Sequence, residues 1–163
     1  MPLAAGTRLG PYEALDRTVA EGRHVIALDR GHFLGHRALG IGLNDTGAVP
    51  GAVDALRRAH GLSGGFPFTL GFLAMVSGRA GLPDVVLRLR GQADQMAGAG
   101  YVPPSTFMLC ATGLDDWDQA FEWMDRAVEG RDPIIMPVKS FPFLDPVRGD
   151  ARFGAPLRTM RLE

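Results

Sequence analysis

The sequence predicts an all-α fold made of successive helix pairs. Apolar residues recur at helical spacing, glycine and proline separate these stretches, and a common pattern returns every 34 residues. A repeat of this length is typical of stacked helical hairpins, in which each pair buries its apolar face against its neighbours. We therefore expect one helical array with a continuous core.

The composition fits one packed soluble domain. With 163 residues, 46% hydrophobic and 21% charged, the chain is long enough for one core and too apolar for a disordered tail. The formal net charge of -1 produces no broad positive field. Neither nucleic acid nor an anionic membrane is therefore an expected partner.

Cysteine content and hydropathy predict a cytoplasmic protein. Cys110 is the only cysteine, which rules out an internal disulfide and fits a reducing compartment. No charged leader followed by an apolar stretch opens the chain. No apolar run reaches the roughly 18 residues that a membrane-spanning helix needs.

The repeat becomes visible when residues 36–59, 70–93 and 104–127 are aligned without gaps. Small or apolar residues then coincide at several positions, and a turn position follows the first helix of each unit. The alignment superimposes Ala59, Ala93 and Ala127; Leu39, Leu73 and Phe107; Ala52, Val86 and Ala120; and the turn residues Gly47, Gly81 and Asp115. Small residues at fixed places allow close helix contacts, and large apolar residues fill the space between them.

Each unit is predicted to form two helices. Pro50 and Pro83 lie just after turns, where proline in a first helical turn loses no hydrogen bond. Asp116 or Asp118 can cap the second helix of the third unit. The predicted helices span residues 32–44, 48–61, 67–80, 83–98, 103–113 and 116–130.

This pattern resembles the tetratricopeptide repeat. The resemblance implies a right-handed α-solenoid of about three helix hairpins, over residues 32–65, 66–100 and 101–133. Residues 1–31 and 134–163 would then be capping segments. Arg90, where an aromatic residue or leucine is usual, and Ser77, where tyrosine is common, depart from the family pattern.

The third repeat and the following tail, "FPFLDPVRGDARFGAPLRTMRL", resemble the ends of repeat arrays in bacterial serine/threonine kinases, adenylate cyclases and winged-helix regulators. This resemblance implies a short capping helix near residues 150–160.

The first residues resemble the lead-in to a kinase catalytic domain, but the catalytic motifs are missing. The segment "LAAGTRLGPYEAL" carries the resemblance. No Gly-rich phosphate loop or lysine strand follows it, and the only lysine, Lys139, lies in the tail. We therefore expect no enzyme activity and interpret residues 11–28 as one helix that caps or extends the array.

No residue cluster predicts a metal or cofactor. His32 and His36 have helical spacing but lack a third ligand, and Cys110 lies in an apolar helix without a neighbouring histidine. Asp115, Asp116 and Asp118 fit helix capping better than a calcium loop. Trp117 and Trp123 are expected to pack in the core.

The resemblance places a ligand-binding groove on the first helix of each repeat. Its second, fifth, ninth and twelfth positions would face the ligand. The candidate binding residues at these positions are Leu34, Arg37, Ile41, Asn44, Phe68, Met75, Val102, Ser105 and Leu109. Gly71, Gly78 and Thr112 complete the two polar rows. These rows do not show the set of Asn and basic residues with which some members of the family grip a C-terminal carboxylate.

An apolar groove of this kind favours an amphipathic helix or an extended apolar segment as the ligand. The alternative is that the protein's own N-terminal segment, or a second copy in a homodimer, covers the same rows.

Two functional hypotheses follow from the sequence. The first is a protein-binding module, such as a regulatory adaptor, with a protein or peptide partner. The second is a small enzyme or small-molecule-binding protein with an incidental repeat pattern. It would use a pocket near "GLSGGFPF", which lacks the Gly-Lys-Ser/Thr of a true phosphate loop.

Overall fold

In the computed structural model, which describes residues 11–162, all regular secondary structure is helical. The α-helices are α1 Pro11–Leu28, α2 Phe33–Asp45, α3 Val49–Leu62, α4 Pro67–Arg79, α5 Pro83–Ala99, α6 Pro104–Gly113, α7 Trp117–Glu129 and α8 Ala151–Thr159. Short 3-10 helices at Pro133–Ile135, Val138–Ser140 and Pro142–Val147 connect α7 to α8. Residues 1–10 and 163 lie outside the described residues.

The all-α prediction is confirmed for the described residues. Every predicted helix begins and ends within one residue of an observed α-helix, including 11–28 and the capping helix at 150–160. The 3-10 turns between α7 and α8 have no counterpart among the helices predicted from the sequence. Part of the kinase-like lead-in falls in residues 1–10, outside the described residues.

The turn that ends the first helix of each unit has the same geometry three times. Gly47, Gly81 and Asp115 adopt positive φ values of 83°, 73° and 54°. The next residue donates its N–H to a carbonyl five residues back, as Ala48 does to Leu43 at 2.8 Å. Leu82 to Ser77 and Asp116 to Ala111 repeat this bond at 3.0 Å. A left-handed residue followed by this bond satisfies carbonyls left free at a helix end.

Local sequence also explains where the helices begin. Proline occupies the first turn of α3, α4, α5 and α6, where its missing N–H costs no helical hydrogen bond. Of the two capping candidates for α7, Asp116 is the N-cap, and its side chain accepts from the Gln119 N–H at 3.1 Å.

Helices adjacent in sequence pack against each other, and the three alanines shared by the repeats are fully buried at these contacts. Ala59, Ala93 and Ala127 expose no surface. The first unit nevertheless packs differently, because α4 contacts α6 far more extensively than α2, while α2 packs along α1. The helix positions therefore repeat more regularly than the helix contacts do.

Glycine allows close helix contacts at two places. A methyl group on Gly78 of α4 would overlap the backbone of Gly113 on α6. At the contact between α1 and α2, a methyl group on Gly22 would come 2.7 Å from the backbone nitrogen of Leu39. Because separations this short exclude any side chain, both contacts require glycine.

The segment after α7 is an integral part of the core. We call residues 133–147 the C-terminal strap. Its apolar side chains are buried in the same cluster as those of α3 to α7. The buried strap residues are Ile135, Val138, Phe143, Leu144 and Val147. After the strap, α8 packs on α7, where Phe153 is buried and Arg152 pairs with Asp118 at 2.6 Å.

Candidate functional site

The C-terminal strap lies beside part of the face on which the sequence predicts a groove, where Pro142 and Phe143 line a hollow together with Met75. Met75, Leu109 and Ser105 are fully buried, and Val102 is buried with 8% exposure. The ring of Phe143 in the strap meets Phe72 of α4 edge-on at 6.2 Å. The alternative cover predicted from the sequence, the N-terminal segment or a second copy, stays a prediction. In the described part of the N-terminal segment, α1 packs on α2, and the strap is the segment found beside Met75.

The strap is anchored mainly by apolar burial. The buried carboxylate of Asp132, just before the strap, accepts from the backbone N–H groups of Ser105 and Ile134, both at 3.0 Å. Five buried apolar side chains follow, and burying each is worth about 1.5 to 3 kcal/mol. Removing them together would cost on the order of 10 kcal/mol, comparable to the whole stability of a typical domain. A ligand is therefore not expected to displace the strap.

Four of the predicted binding residues stay within reach of a ligand. Leu34 is 41% exposed, and Arg37, Ile41 and Phe68 are half-buried. Arg37, Ile41 and Phe68 line a surface cleft beside the strap. A role in binding for the buried residues Met75, Val102, Ser105 and Leu109 stays a prediction and would require the strap to move.

The cleft consists of two adjoining hollows of about 200 and 390 Å³ that share Phe68, Pro133 and Ile134. We call it the aromatic cleft. Three structural units form its walls: α2, the start of α4 with the residues before α6, and the strap with the residue before it. The lining residues are Arg37, Ile41, Asp45, Phe66, Phe68, Phe72, Tyr101, Pro103, Asp132, Pro133, Ile134, Pro137, Phe141, Pro142 and Phe143.

Large apolar side chains stand exposed along this cleft. Tyr101 is 76% exposed and Phe66 is 46% exposed, and the Phe66 ring packs against Phe33 at 6.2 Å. Leu34 lies one residue further along α2. An exposed group of large apolar side chains beside a concave hollow is typical of an interaction site.

Arg37 supplies a positive charge at one end of the cleft. Its guanidinium carbon lies 5.0 Å from the centre of the Phe68 ring, a cation–π geometry. Burial lowers the pKa of Arg37, although arginine stays charged. Within the described part of the chain, Arg37 has no ion-pair partner.

Asp45 supplies a negative charge at the other end. Burial raises the pKa of its half-buried carboxyl group, while a hydrogen bond from Asn44 and the nearby Arg79 oppose that shift. The Asn44 amide nitrogen lies 2.9 Å from an Asp45 oxygen. Across residues 11–162, no cation lies within ion-pair distance of Asp45.

Asn44 occupies a position where the resemblance predicts a ligand contact, but it is buried and links two helices. Its side-chain oxygen accepts from the Arg79 guanidinium at 2.6 Å, which ties the end of α2 to the end of α4. A contact between Asn44 and a ligand stays a prediction.

The remaining polar candidates have structural contacts. The ring of His32 accepts from the Gly35 N–H at the start of α2, and His36 contacts the carbonyl of Arg30 at 3.0 Å. Burial raises the pKa of Cys110 to about 12, so its thiol is protonated at neutral pH. Over residues 11–162, no group of three metal-ligating side chains comes together.

A second hollow lies beside the glycine-rich segment of the alternative hypothesis. It has a volume of about 500 Å³, and Gly64, Gly65, Gln92 and Gln95 contribute to its walls. His60 also lines it, and the Nδ1 atom of this histidine is buried without a hydrogen-bond partner. Burial lowers the pKa of His60, which favours the neutral ring.

Sequence reasoning missed much of the aromatic cleft. Phe66 and Tyr101 precede α4 and α6 and fall outside the helical positions that the repeat pattern assigns to a groove. Each lies next to a helix-starting proline segment, "GFPF" or "GYVPP". The signal in the sequence that could have located this part of the cleft is a large aromatic residue in a short connection that contains glycine and proline.

No helix of the described residues is both long and apolar enough to cross a membrane.

Comparison with protein-family models, curated proteins and solved structures gave no significant match.

Proposed function

We propose that this protein is a tetratricopeptide-like interaction module that binds an apolar segment of another protein in the aromatic cleft. The proposed architecture is a right-handed α-solenoid of three hairpins, over residues 32–65, 66–100 and 101–133. Support comes from the 34-residue spacing of Gly47, Gly81 and Asp115, whose turns share one hydrogen-bond geometry. The different packing of the first hairpin is the strongest argument against a uniform solenoid.

The exposed aromatic side chains of the cleft carry the functional proposal. Phe66 and Tyr101 expose ring surface that a bound apolar segment would remove from water, at about 25 cal/mol per Å². Aromatic residues dominate the energetic centres of protein interfaces because they combine large area with few rotatable bonds. A regulatory adaptor in the cytoplasm would fit this activity.

A peptide-display experiment tests the proposal. Random eight-residue peptides displayed on phage are selected on the purified chain, and fluorescence polarisation then measures the affinity of enriched peptides. The double variant Phe66→Asp with Tyr101→Asp should bind them at least about tenfold more weakly, because a bound segment would desolvate both carboxylates. Equal affinity for this variant, or no enrichment at all, would contradict the proposal.

Leu87→Asp provides the matched control. Leu87 is 56% exposed on α5 and does not line the cleft. Its substitution replaces one exposed apolar side chain by a carboxylate, as each change in the double variant does, so binding should remain at the level of the unmodified chain. Circular dichroism of all variants checks that the helices are intact.

The hollow at Gly64 and Gly65 supports a second candidate function, the binding of a small molecule. His60 lines this hollow, and its buried Nδ1 atom has no hydrogen-bond partner within the described residues. A thermal-shift screen against nucleotides and metal ions tests this candidate. A stabilisation that disappears in His60→Ala would favour it over peptide binding.

A further inference from the structure

We propose that the aromatic cleft recognises a segment with a fixed charge order: an acidic group at its Arg37 end, apolar residues in the middle and a basic group at its Asp45 end. This inference rests on the proposed peptide-binding function and names the chemistry of the partner. It follows from the spacing, burial and missing partners of two charged side chains.

One helix places both charges along the same cleft. Arg37, Ile41 and Asp45 are four residues apart on α2 and all three line the cleft. Residues four apart share a helix face, and eight residues span about 12 Å. Ile41 therefore marks the apolar middle between a positive and a negative end.

The positive end lacks an anion. Arg37 is half-buried against Phe68 and has no ion-pair partner within residues 11–162. The carboxylate that lines the same hollow, Asp132, already accepts two backbone N–H groups. Charges withdrawn from water are normally paired, so a cation in this position favours a carboxylate from a ligand.

The negative end lacks an ion-pair partner within the described residues, although Arg79 is near enough to oppose the effect of burial on the Asp45 pKa. Asp45 is half-buried and its described hydrogen bond comes from the neutral Asn44 side chain. The nearest candidate, Arg79, instead directs its guanidinium to Asn44. An incoming lysine or arginine side chain would supply the missing counter-ion.

The middle of the cleft is apolar on all sides. Ile41 and Phe72 face it from the helices, and Ile134 and Phe141 face it from the strap. An extended chain covers about 12 Å in roughly four residues. The ligand should therefore carry its acidic and basic residues about four positions apart, with apolar residues between them.

Charge-reversal variants in the same peptide selection test this charge order. Peptides enriched on the unmodified chain should contain an acidic and a basic residue three to five positions apart. Selection on Arg37→Glu should exchange the acidic residue for a basic one, and selection on Asp45→Lys should exchange the basic residue for an acidic one. Each reversal should weaken the original peptides by about tenfold or more.

The matched controls are Arg57→Glu and Asp54→Lys on α3. These two residues form an exposed pair at 4.0 Å and do not line the cleft. They change the net charge by the same amount, so the enriched sequences should stay the same. If a charge-reversal variant fails to fold, Arg37→Gln and Asp45→Asn test the same charges with smaller changes.

The outcomes separate this inference from the proposed function. Enriched apolar peptides with no charge pattern, bound equally by Arg37→Glu, would overturn the charge order and leave apolar peptide binding intact. No enrichment would remove both. Dimerisation in analytical ultracentrifugation that Arg37→Glu or Asp45→Lys abolishes would identify a second copy as the occupant and overturn the inference.

Discussion

At the scale of single residues, small side chains decide how closely the helices approach. Ala93 is fully buried on α5, at the position that the repeat pattern shares with Ala59 and Ala127. At such a contact an alanine methyl group fills the available space. Any larger side chain must push the neighbouring helix away.

Replacing Ala93 by leucine should therefore destabilise the protein by about 1 to 3 kcal/mol through overpacking. Urea unfolding followed by circular dichroism measures this change. Ala97 lies one turn further along α5 and is exposed, so Ala97→Leu should change the stability little. Equal effects of the two substitutions would mean that the register of the repeat contacts is wrong.

Met75 shows how burial changes the meaning of a predicted groove residue. It is 1% exposed beneath the strap. Met75→Glu should lower the free energy of unfolding by about 3 kcal/mol or more at neutral pH, because an unpaired charge would be buried. Met75→Leu keeps the volume and should cost less than about 1.5 kcal/mol.

The Met75→Glu effect should also depend on pH. Burial would raise the pKa of the introduced carboxyl group above its unfolded value, so the folded state would tolerate its protonated form better. The stability difference from the unmodified protein should then shrink as the pH falls from 7 toward 4. Denaturant titration measures this difference in the free energy of unfolding. A difference that stays constant with pH would show that the introduced carboxyl group is hydrated in the folded state.

At the scale of helix pairs, glycine sets the contact between α4 and α6. Gly78 faces the backbone of Gly113 with no room for a methyl group. Gly78→Ala should destabilise the protein by at least about 2 kcal/mol despite the better helix propensity of alanine. Thermal unfolding measures the loss.

Gly91 on α5 provides the opposite case. A methyl group there would meet open space. Gly91→Ala should leave the protein unchanged or stabilise it by about 0.5 to 1 kcal/mol, since alanine favours the helical backbone. Similar melting temperatures for the two alanine variants would contradict the close contact between α4 and α6.

At the scale of the whole molecule, the strap completes the core of the helical array. Its buried side chains belong to the same apolar cluster as Met75 and Leu109, and Phe143 lines a hollow together with Met75. No hydrogen bond from residues 133–147 to α1 through α7 occurs in the described part of the chain, apart from contacts of the preceding Asp132. The strap therefore stabilises the array by apolar contact.

A chain that ends at residue 132 should consequently lose cooperative unfolding or aggregate, because about 10 kcal/mol of apolar burial disappears. Calorimetry and size-exclusion chromatography measure these changes. A chain that ends at residue 150 loses α8 but keeps the strap, so it is the control and should lose much less stability. A stable, monomeric truncated protein would show that the strap can leave its face and would reopen Met75 and Leu109 as ligand contacts.

The sequence by itself determined the local structure of this protein. Proline in the first helical turns, left-handed residues at Gly47 and Gly81, and apolar periodicity specify helix ends within one residue. These signals act over a few neighbouring residues, so they can be read without knowing the fold.

Only the tertiary structure decided which faces are covered and which cleft stays open. The strap combines four prolines with apolar residues at irregular spacing, so no periodic pattern specifies what it covers. Its position on α4 and α6, and with it the walls of the aromatic cleft, depends on apolar contacts between segments distant in sequence. Burial of this kind is non-directional, and shape matching among many residues decides it.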